Sequence, residues 1–460
     1  MSSARRETAQ PAWGERQRLV ALTVPMPAAD PFTLLRLARG APRLFWREPG
    51  SRVTTVGLGA AQLLRADGPL RVARLQLQMD HLFEDALLDL AGPPEATPRL
   101  FGGLAFSATP KVDAAWADFG PACFILPHLT VTFTAEGNWL TLCRNSDADA
   151  LRGDPLASLR DEAEAFVAGV AEAPSLAPPS PHAPTVHAAL TQDAWRGMVD
   201  EAVRQIRAGG LKKVVLSRAL DVESDWPLDA VAALERLDAR FPDTYRFLLE
   251  PAGGAAFIGA SPELLAEVRE SVLHTAALAG SRPRGATEAQ DAALAQELMA
   301  SAKEREEHQI VVESVLTRVT PYARQVDAPP VPGILRLRNI QHLHTPVSAE
   351  LESHFDALDL VGELHPTPAL GGFPQRAALA FISEHEPVER GWFAAPVGWI
   401  DADGDGLFAV AIRSAVLQGP RARLYAGAGI VAESAADQEW AETGLKFRPL
   451  LGALGVEEGV

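Results

Sequence analysis

The chain has 460 residues, 47% of them hydrophobic and 22% charged, an ordinary globular composition with ample material for a core. With 59 acidic and 42 basic residues its net charge is −17, which argues against nucleic acid and anionic membranes as partners. An anionic substrate would need a local cationic site or a metal.

Up to about Val170 the chain is rich in Ala, Leu, Arg and Pro, with strand-like runs at Leu129–Phe133 and Trp139–Cys143. Gly57-Leu-Gly59 resembles a dinucleotide loop but lacks the third glycine. The segment from Ser2 to Arg18 is polar and no run is long enough to span a bilayer. Cys123 and Cys143 form no CxxC, so a reduced cytoplasm is the expected setting. Residues 173–184, dense in Pro, Ala and Ser, read as a linker.

Beyond it the patterns sharpen. Asp193–Ala208 has helical periodicity, and Lys212–Leu220 is an apolar strand with a charged head. Strand alternation sends Lys212 and Lys213 to opposite faces, so one of them enters the interior or a cleft. Desolvation there would lower its pKa and let it act as a general base; a lysine that snorkels to water is the commoner outcome. Asp229–Arg240 is helical, and Tyr245–Leu249 and Ala256–Ile258 are strands around a Pro251–Gly254 turn.

Ser261-Pro-Glu263 has two readings. A carboxyl group among apolar neighbours would have a raised pKa and could donate a proton, and Ser-Pro-Glu is also a helix-start signal. A long helix is expected over Asp291–Val319, with Glu304, Glu307 and His308 on one face. No HExxH surrounds His308, so no zinc is assigned.

Trp392–Asp401 and Leu407–Leu417 form a hairpin joined by Ala402–Gly406. The turn imitates the start of an EF-hand, but Ile412 stands where a bidentate Glu is needed. Arg413 falls in the second strand among apolar residues and needs an anion, either a substrate carboxylate or a structural Asp or Glu. Arg423–Val431 is a strand whose small residues, Gly427 among them, allow close approach of a ligand or a tightly packed sheet. Ser434–Leu451 is a final helix with Glu439, Glu442 and Lys446 on one face. Two helices that each offer a carboxylate pair could clamp a hard cation such as Mg2+. On spacing alone, solvated faces with internal ion pairs are the commoner arrangement. Antiparallel-looking strands with long helices between them indicate an α+β fold.

Seven segments in order carry a family resemblance: Lys213-Val-Val-Leu-Ser-Arg218, Phe257–Glu263, Leu278–Gly285, Lys303–Val312, Leu364–Pro374, Ala411-Ile-Arg413 and Tyr425–Lys446. Over about Lys212–Leu451 the chain resembles the chorismate-utilising enzymes, a family of isochorismate, salicylate, anthranilate and aminodeoxychorismate synthases. The resemblance implies one large domain over 1–460, with two layered antiparallel sheets ringed by helices. Within it, residues 1–185 would be a divergent N-terminal part and 190–451 the chorismate-binding part, with the 173–184 linker internal.

It further implies that Glu307 and Glu442 hold Mg2+, with Glu304 and Glu439 nearby. Arg413, the backbone at Gly427, and Lys446 would grip carboxylates, and Gly280 would line the pocket. Family members that add water carry a lysine at the place of Lys213. Aminodeoxychorismate synthases often carry a lysine where this chain has Ala279, and members that form an aromatic product or retain an amine tend to have Thr where it has Ala369.

The implied activity is therefore Mg2+-dependent conversion of chorismate to isochorismate, with Lys213 as base and Glu263 as acid, feeding menaquinone or a siderophore. Salicylate synthesis is the alternative within the family. A non-catalytic chorismate-binding subunit is the alternative outside it, although binding alone needs neither base nor acid. A monomer or weak homo-oligomer is expected.

Overall fold

A computed structural model describes residues 18–51, 53–146, 153–171, 184–336 and 340–456. Apart from Pro184, the expected linker lies outside the described residues. Two β-sheets organise the chain. The larger runs from Thr185–Ala188 through Lys213–Glu223, Arg421–Ile430, Ser414–Gln418, Ala255–Ser261 and Tyr245–Glu250, and continues into strands drawn from residues 18–146. The smaller runs from Ala323–Asp327 through Ile340–Leu351, Val272–Pro283, Leu264–Arg269, Gly406–Val410 and Pro396–Asp401, and again ends in strands from the first part of the chain. Both sheets therefore take strands from either side of residues 173–184. Among the described residues the ladders are antiparallel except for Arg18–Met26 with Leu87–Leu90. The fold is α+β.

Packing explains why the apolar runs are so continuous. On the larger sheet, Leu234 and Leu237 of the Ala230–Arg240 helix and Phe447 and Leu450 of the Ala436–Ala453 helix share a core with Ile258 and Leu424. On the smaller sheet, Val315 and Val319 of the Ala302–Val319 helix and Leu358 and Val361 of the Ala357–Leu364 helix join a second core with Phe257, Trp399 and Phe408. The strand segment Val214–Ala219 is buried throughout; Val214, Val215 and Leu216 form an apolar run, and the buried Ser217 and Arg218 that follow are both hydrogen-bonded.

One ribbon connects the sheets. Ala255–Ser261 pairs with Ser414–Gln418 in the larger sheet, and their continuations Leu264–Arg269 and Gly406–Val410 pair in the smaller one. The bends fall at Pro262-Glu263 and at residues 411–413. They are laced together: Val410 N donates to Glu263 O at 2.9 Å, and Ala260 N to Arg413 O at 3.1 Å. Arg413 takes φ +51, a left-handed conformation that non-glycine residues adopt at a cost and keep only when the surroundings enforce it.

Three expectations change here. Ser261-Pro-Glu263 starts no helix; it is a corner between sheets. The segment 407–417 is two strands in two sheets, and Arg413 lies between them. The long helix is broken into Glu288–Ala300 and Ala302–Val319 at Ser301, whose ψ of 112° is extended and whose hydroxyl caps Glu304 N at 3.3 Å.

Candidate active site

The Lys213–Glu223 strand sets the phase of its two lysines. Lys212 is exposed, and Lys213 is half-buried with its stem against Gly429, where a Cβ would lie 2.9 Å from Lys213 Cε. Gly429 thus makes room for the lysine. Two residues back along the same strand, Gly427 O accepts a hydrogen bond from Lys446 Nζ at 2.7 Å. Both lysines thus reach the last residues of the Arg421–Ile430 strand, Lys213 at Gly429 and Lys446 at Gly427.

Glu263 faces this pair from the sheet corner. Burial pushes its carboxyl up to about 7, against the opposing pull of Arg413, Lys213 and Lys446. The raised acid expected from the sequence is present, and three cations surround it. Arg413 is half-buried, and desolvation lowers its pKa against the opposition of Glu442 and Glu263. Its guanidinium makes no hydrogen bond or close ion pair among the described residues. A half-buried guanidinium without a close protein partner can take an anionic ligand, and the left-handed bend at residue 413 places it beside Glu263 and Glu442.

Two helices bring the carboxylates. Glu304 and Glu439 stand in the first turns of their helices, where the helix dipole favours negative charge. Arg218 fixes the second helix. Its Nε donates to Thr443 Oγ1 at 2.8 Å, and its guanidinium lies 3.7 Å from the centroid of the Trp440 ring. Lys303 Nζ and Glu433 Oε2 approach to 3.5 Å near the starts of the two helices.

Each of the four carboxylates has a partner. Glu307 pairs with Lys213, Glu442 with Lys446 at 2.6 Å, and Glu304 with Arg282 at 3.0 Å. Glu439 is held by Ser434, and burial raises its pKa. Burial lowers that of Lys446, with Glu442 opposing.

Among the described residues, no three Asp, Glu, His or Cys side chains gather as a ready metal cluster. The donor chemistry nevertheless fits Mg2+, since every candidate is a hard carboxylate oxygen. Mg2+ usually takes only one or two protein carboxylates and fills its octahedron with water and substrate oxygens.

Gly280 is a bulge between Ala279 and Ser281 with φ +75, and a Cβ there would lie 3.1 Å from Glu304 Oε2. The positive φ favours glycine, and any larger residue would also press on Glu304. Ala369 is half-buried on a loop whose Gly371 O accepts from Val215 N at 3.0 Å. That bond ties its loop to the strand bearing Lys213. His308 is a core residue, bonded through Nε2 to Thr345 Oγ1 at 2.7 Å.

Sequence reasoning missed Arg282 as the partner of Glu304, although it lies within a quoted segment. It also missed His342, which bonds Ser281 Oγ at 2.7 Å and is close enough to Lys446 and Arg413 for both to lower its pKa after burial does.

The family model described as "Chorismate binding enzyme" matches residues 6–455. The chain belongs to the chorismate-binding enzyme family. It is similar to the salicylate biosynthesis isochorismate synthase of Pseudomonas aeruginosa, 36% identical over 97% of this chain and 92% of that protein. It is also similar to the isochorismate synthase MenF of Bacillus subtilis, 35% identical over 90% of this chain and 88% of that one. Among solved structures it resembles MenF, the menaquinone-specific isochorismate synthase of Escherichia coli, with a TM-score of 0.78, 28% identity, and 96% and 95% of the two chains covered. The family match extends through the first part of the chain, where the sequence motifs are sparse.

Proposed function

We propose that this member of the chorismate-binding family is an isochorismate synthase, an isomerase that adds water at C2 of chorismate and expels the C4 hydroxyl. Full-length similarity to relatives bearing that name supports the activity. The observation that carries the mechanism is Glu263, a carboxyl pushed up to about 7 and faced by Lys213. An acid poised near neutrality beside an amine is what a one-step exchange of hydroxyls across a ring needs.

Lys213 takes the proton from the attacking water. Glu263, protonated, delivers its proton to the departing hydroxyl as the double bonds shift. Arg413 and Lys446 bind the carboxylates and orient the ring, and Gly280 and Ala369 leave space for it. Lys213 is paired with Glu307, so the base role requires Glu307 to be engaged elsewhere. Glu307 and Glu442, with Glu304 and Glu439 beside them, would hold Mg2+. When bound, the ion would supply positive charge that offsets the charge on the substrate carboxylate.

Two measurements test this reading. Purified protein with chorismate and Mg2+ is expected to give isochorismate, with no pyruvate released at neutral pH. Pyruvate in step with chorismate loss would move the assignment to salicylate synthesis. Titration of Mg2+ by calorimetry is expected to show binding that is lost in Glu307→Ala and Glu442→Ala while both variants unfold at temperatures near that of the wild type. Undiminished Mg2+ binding in both variants would refute the assignment of the metal ligands. The supply of menaquinone or of a siderophore are both compatible with the site. Among the described residues no helix is long and apolar enough to cross a membrane.

A further inference from the structure

The strand that carries Lys213 is incompletely paired on one side. Arg421–Ile430 completes its ladder on the other side, from Val214 to Glu223. On the incomplete side Gly372–Phe373 pairs only with Lys213 and Val214, and Val215 N reaches Gly371 O. Thr185–Ala188 takes over only at Leu220. Between these two neighbours Val215 O and Ser217 N face the interior with no strand to meet them, an arrangement proteins avoid.

Glu386 and Arg390 fill the gap. Glu386 Oε1 accepts from Ser217 N at 2.7 Å and its Oε2 from Ser217 Oγ at 2.9 Å. Arg390 NH2 donates to Val215 O at 2.7 Å and NH1 to Leu370 O at 3.1 Å. The two side chains also bond each other twice, and both are almost wholly buried, at 4% and 2% exposed. The carboxylate stands in for a strand carbonyl and the guanidinium for a strand N–H. The same guanidinium holds Leu370, next to Ala369.

We propose that Glu386 and Arg390 form a positioning pair, which fixes the strand bearing Lys213 to the loop bearing Ala369 so that the base and the pocket wall keep one separation. This rests on the isochorismate synthase reading. The pair also stabilises the fold, because without it Val215 O and Ser217 N would be buried with no partner, so its positioning role has to be read from the turnover of the folded enzyme. An apolar replacement cannot bond Val215 O, Ser217 N and Leu370 O, so the strand and the loop would lose their common anchor.

The test uses the full-length protein. The double variant Glu386→Leu/Arg390→Met and the single variant Arg390→Lys are compared with wild type by thermal unfolding and by separate kcat and KM for chorismate. The double variant leaves Val215 O, Ser217 N and Leu370 O without partners, so it is expected to unfold at a lower temperature than wild type and, assayed where it is folded, to lose about 10²-fold in kcat, the scale of a small misplacement of a catalytic group. KM is expected to change less than about threefold, because Arg413 and Lys446, which grip the substrate, are not bonded to the pair. Arg390→Lys keeps the charge but not the fork of donors, and is expected to lose about tenfold in kcat.

A folded double variant with wild-type kcat would overturn the proposal. If the double variant does not fold, a folded Arg390→Lys enzyme with wild-type kcat overturns it instead. A rise in KM that accounts for the whole loss would also overturn it, since that would place the pair in binding. A wild-type protein that leaves chorismate unchanged would remove the functional reading, and this inference with it. An active wild type with unaffected variants removes the inference alone.

Discussion

Lys213→Ala is expected to lose at least about 10²–10⁴ in turnover, the usual contribution of a positioned acid or base, while the pocket still binds chorismate. The strand phase makes the comparison sharp. Lys212, one residue away, is exposed and reaches toward the Phe373 ring, 5.7 Å from its centroid. It points away from Glu263, so Lys212→Ala is expected to be mild. The cavity left by Lys213 lies beside Gly429, which adds no side chain of its own, and a small external amine is expected to restore part of the rate. Chorismate loss followed by absorbance in the two single variants decides the matter. An inactive Lys212→Ala beside an active Lys213→Ala would put the base on the wrong residue, and two active variants would remove the general-base mechanism.

Glu263→Gln is expected to lower turnover by about 10²–10⁴ with little effect on chorismate binding, because the amide keeps the shape and cannot donate the proton. Two pH signatures accompany this loss. In the wild type the acid must be protonated, and its carboxyl is pushed up to about 7, so kcat should fall as pH rises through that value. The variant should lack this limb.

The second signature is in stability. Burial raises the folded carboxyl above its unfolded value near 4.5, so the native state holds an extra proton between about 4.5 and 7. The stabilisation linked to that proton is fully present below the unfolded value and is lost as pH rises through the folded one. Glu263→Gln should therefore unfold at a higher temperature than wild type at pH 8, with the advantage shrinking towards pH 4. A wild-type rate, or equal unfolding temperatures at pH 8, would reduce Glu263 to a corner residue without a strained charge.

Much of the site was legible because its residues sit on regular elements. The i, i+3, i+4 spacing placed Glu304 and Glu307 half-buried on one face beside the buried His308, and the strand period separated Lys212 from Lys213. What escaped was junction geometry. The run Leu407–Leu417 is apolar on both sides of Arg413, and periodicity cannot report that a chain leaves one sheet for another when both are buried. Ser301-Ala-Lys-Glu304 has the spacing of a capping box, and that signal for the helix break was present but passed over.

Ile340–Leu351 alternates in burial almost residue by residue, so its strand signal was also available. It was obscured by polar and proline residues on its half-exposed face. The pairing of each carboxylate with a cation lay beyond the sequence. Arg282 is distant in the chain from Glu304, and Lys213 from Glu307; only the packing of helices against the strands brings them together.

The central claim is that solvent water enters at C2 as the C4 hydroxyl leaves. The most direct measurement is a brief incubation of wild-type protein with chorismate and Mg2+ in ¹⁸O-labelled water, with the product analysed by mass spectrometry. The expected product is isochorismate carrying one solvent oxygen, located in the C2 hydroxyl. Isochorismate without label would mean that the hydroxyl migrates within the ring system, and the roles given to Lys213 and Glu263 would be wrong.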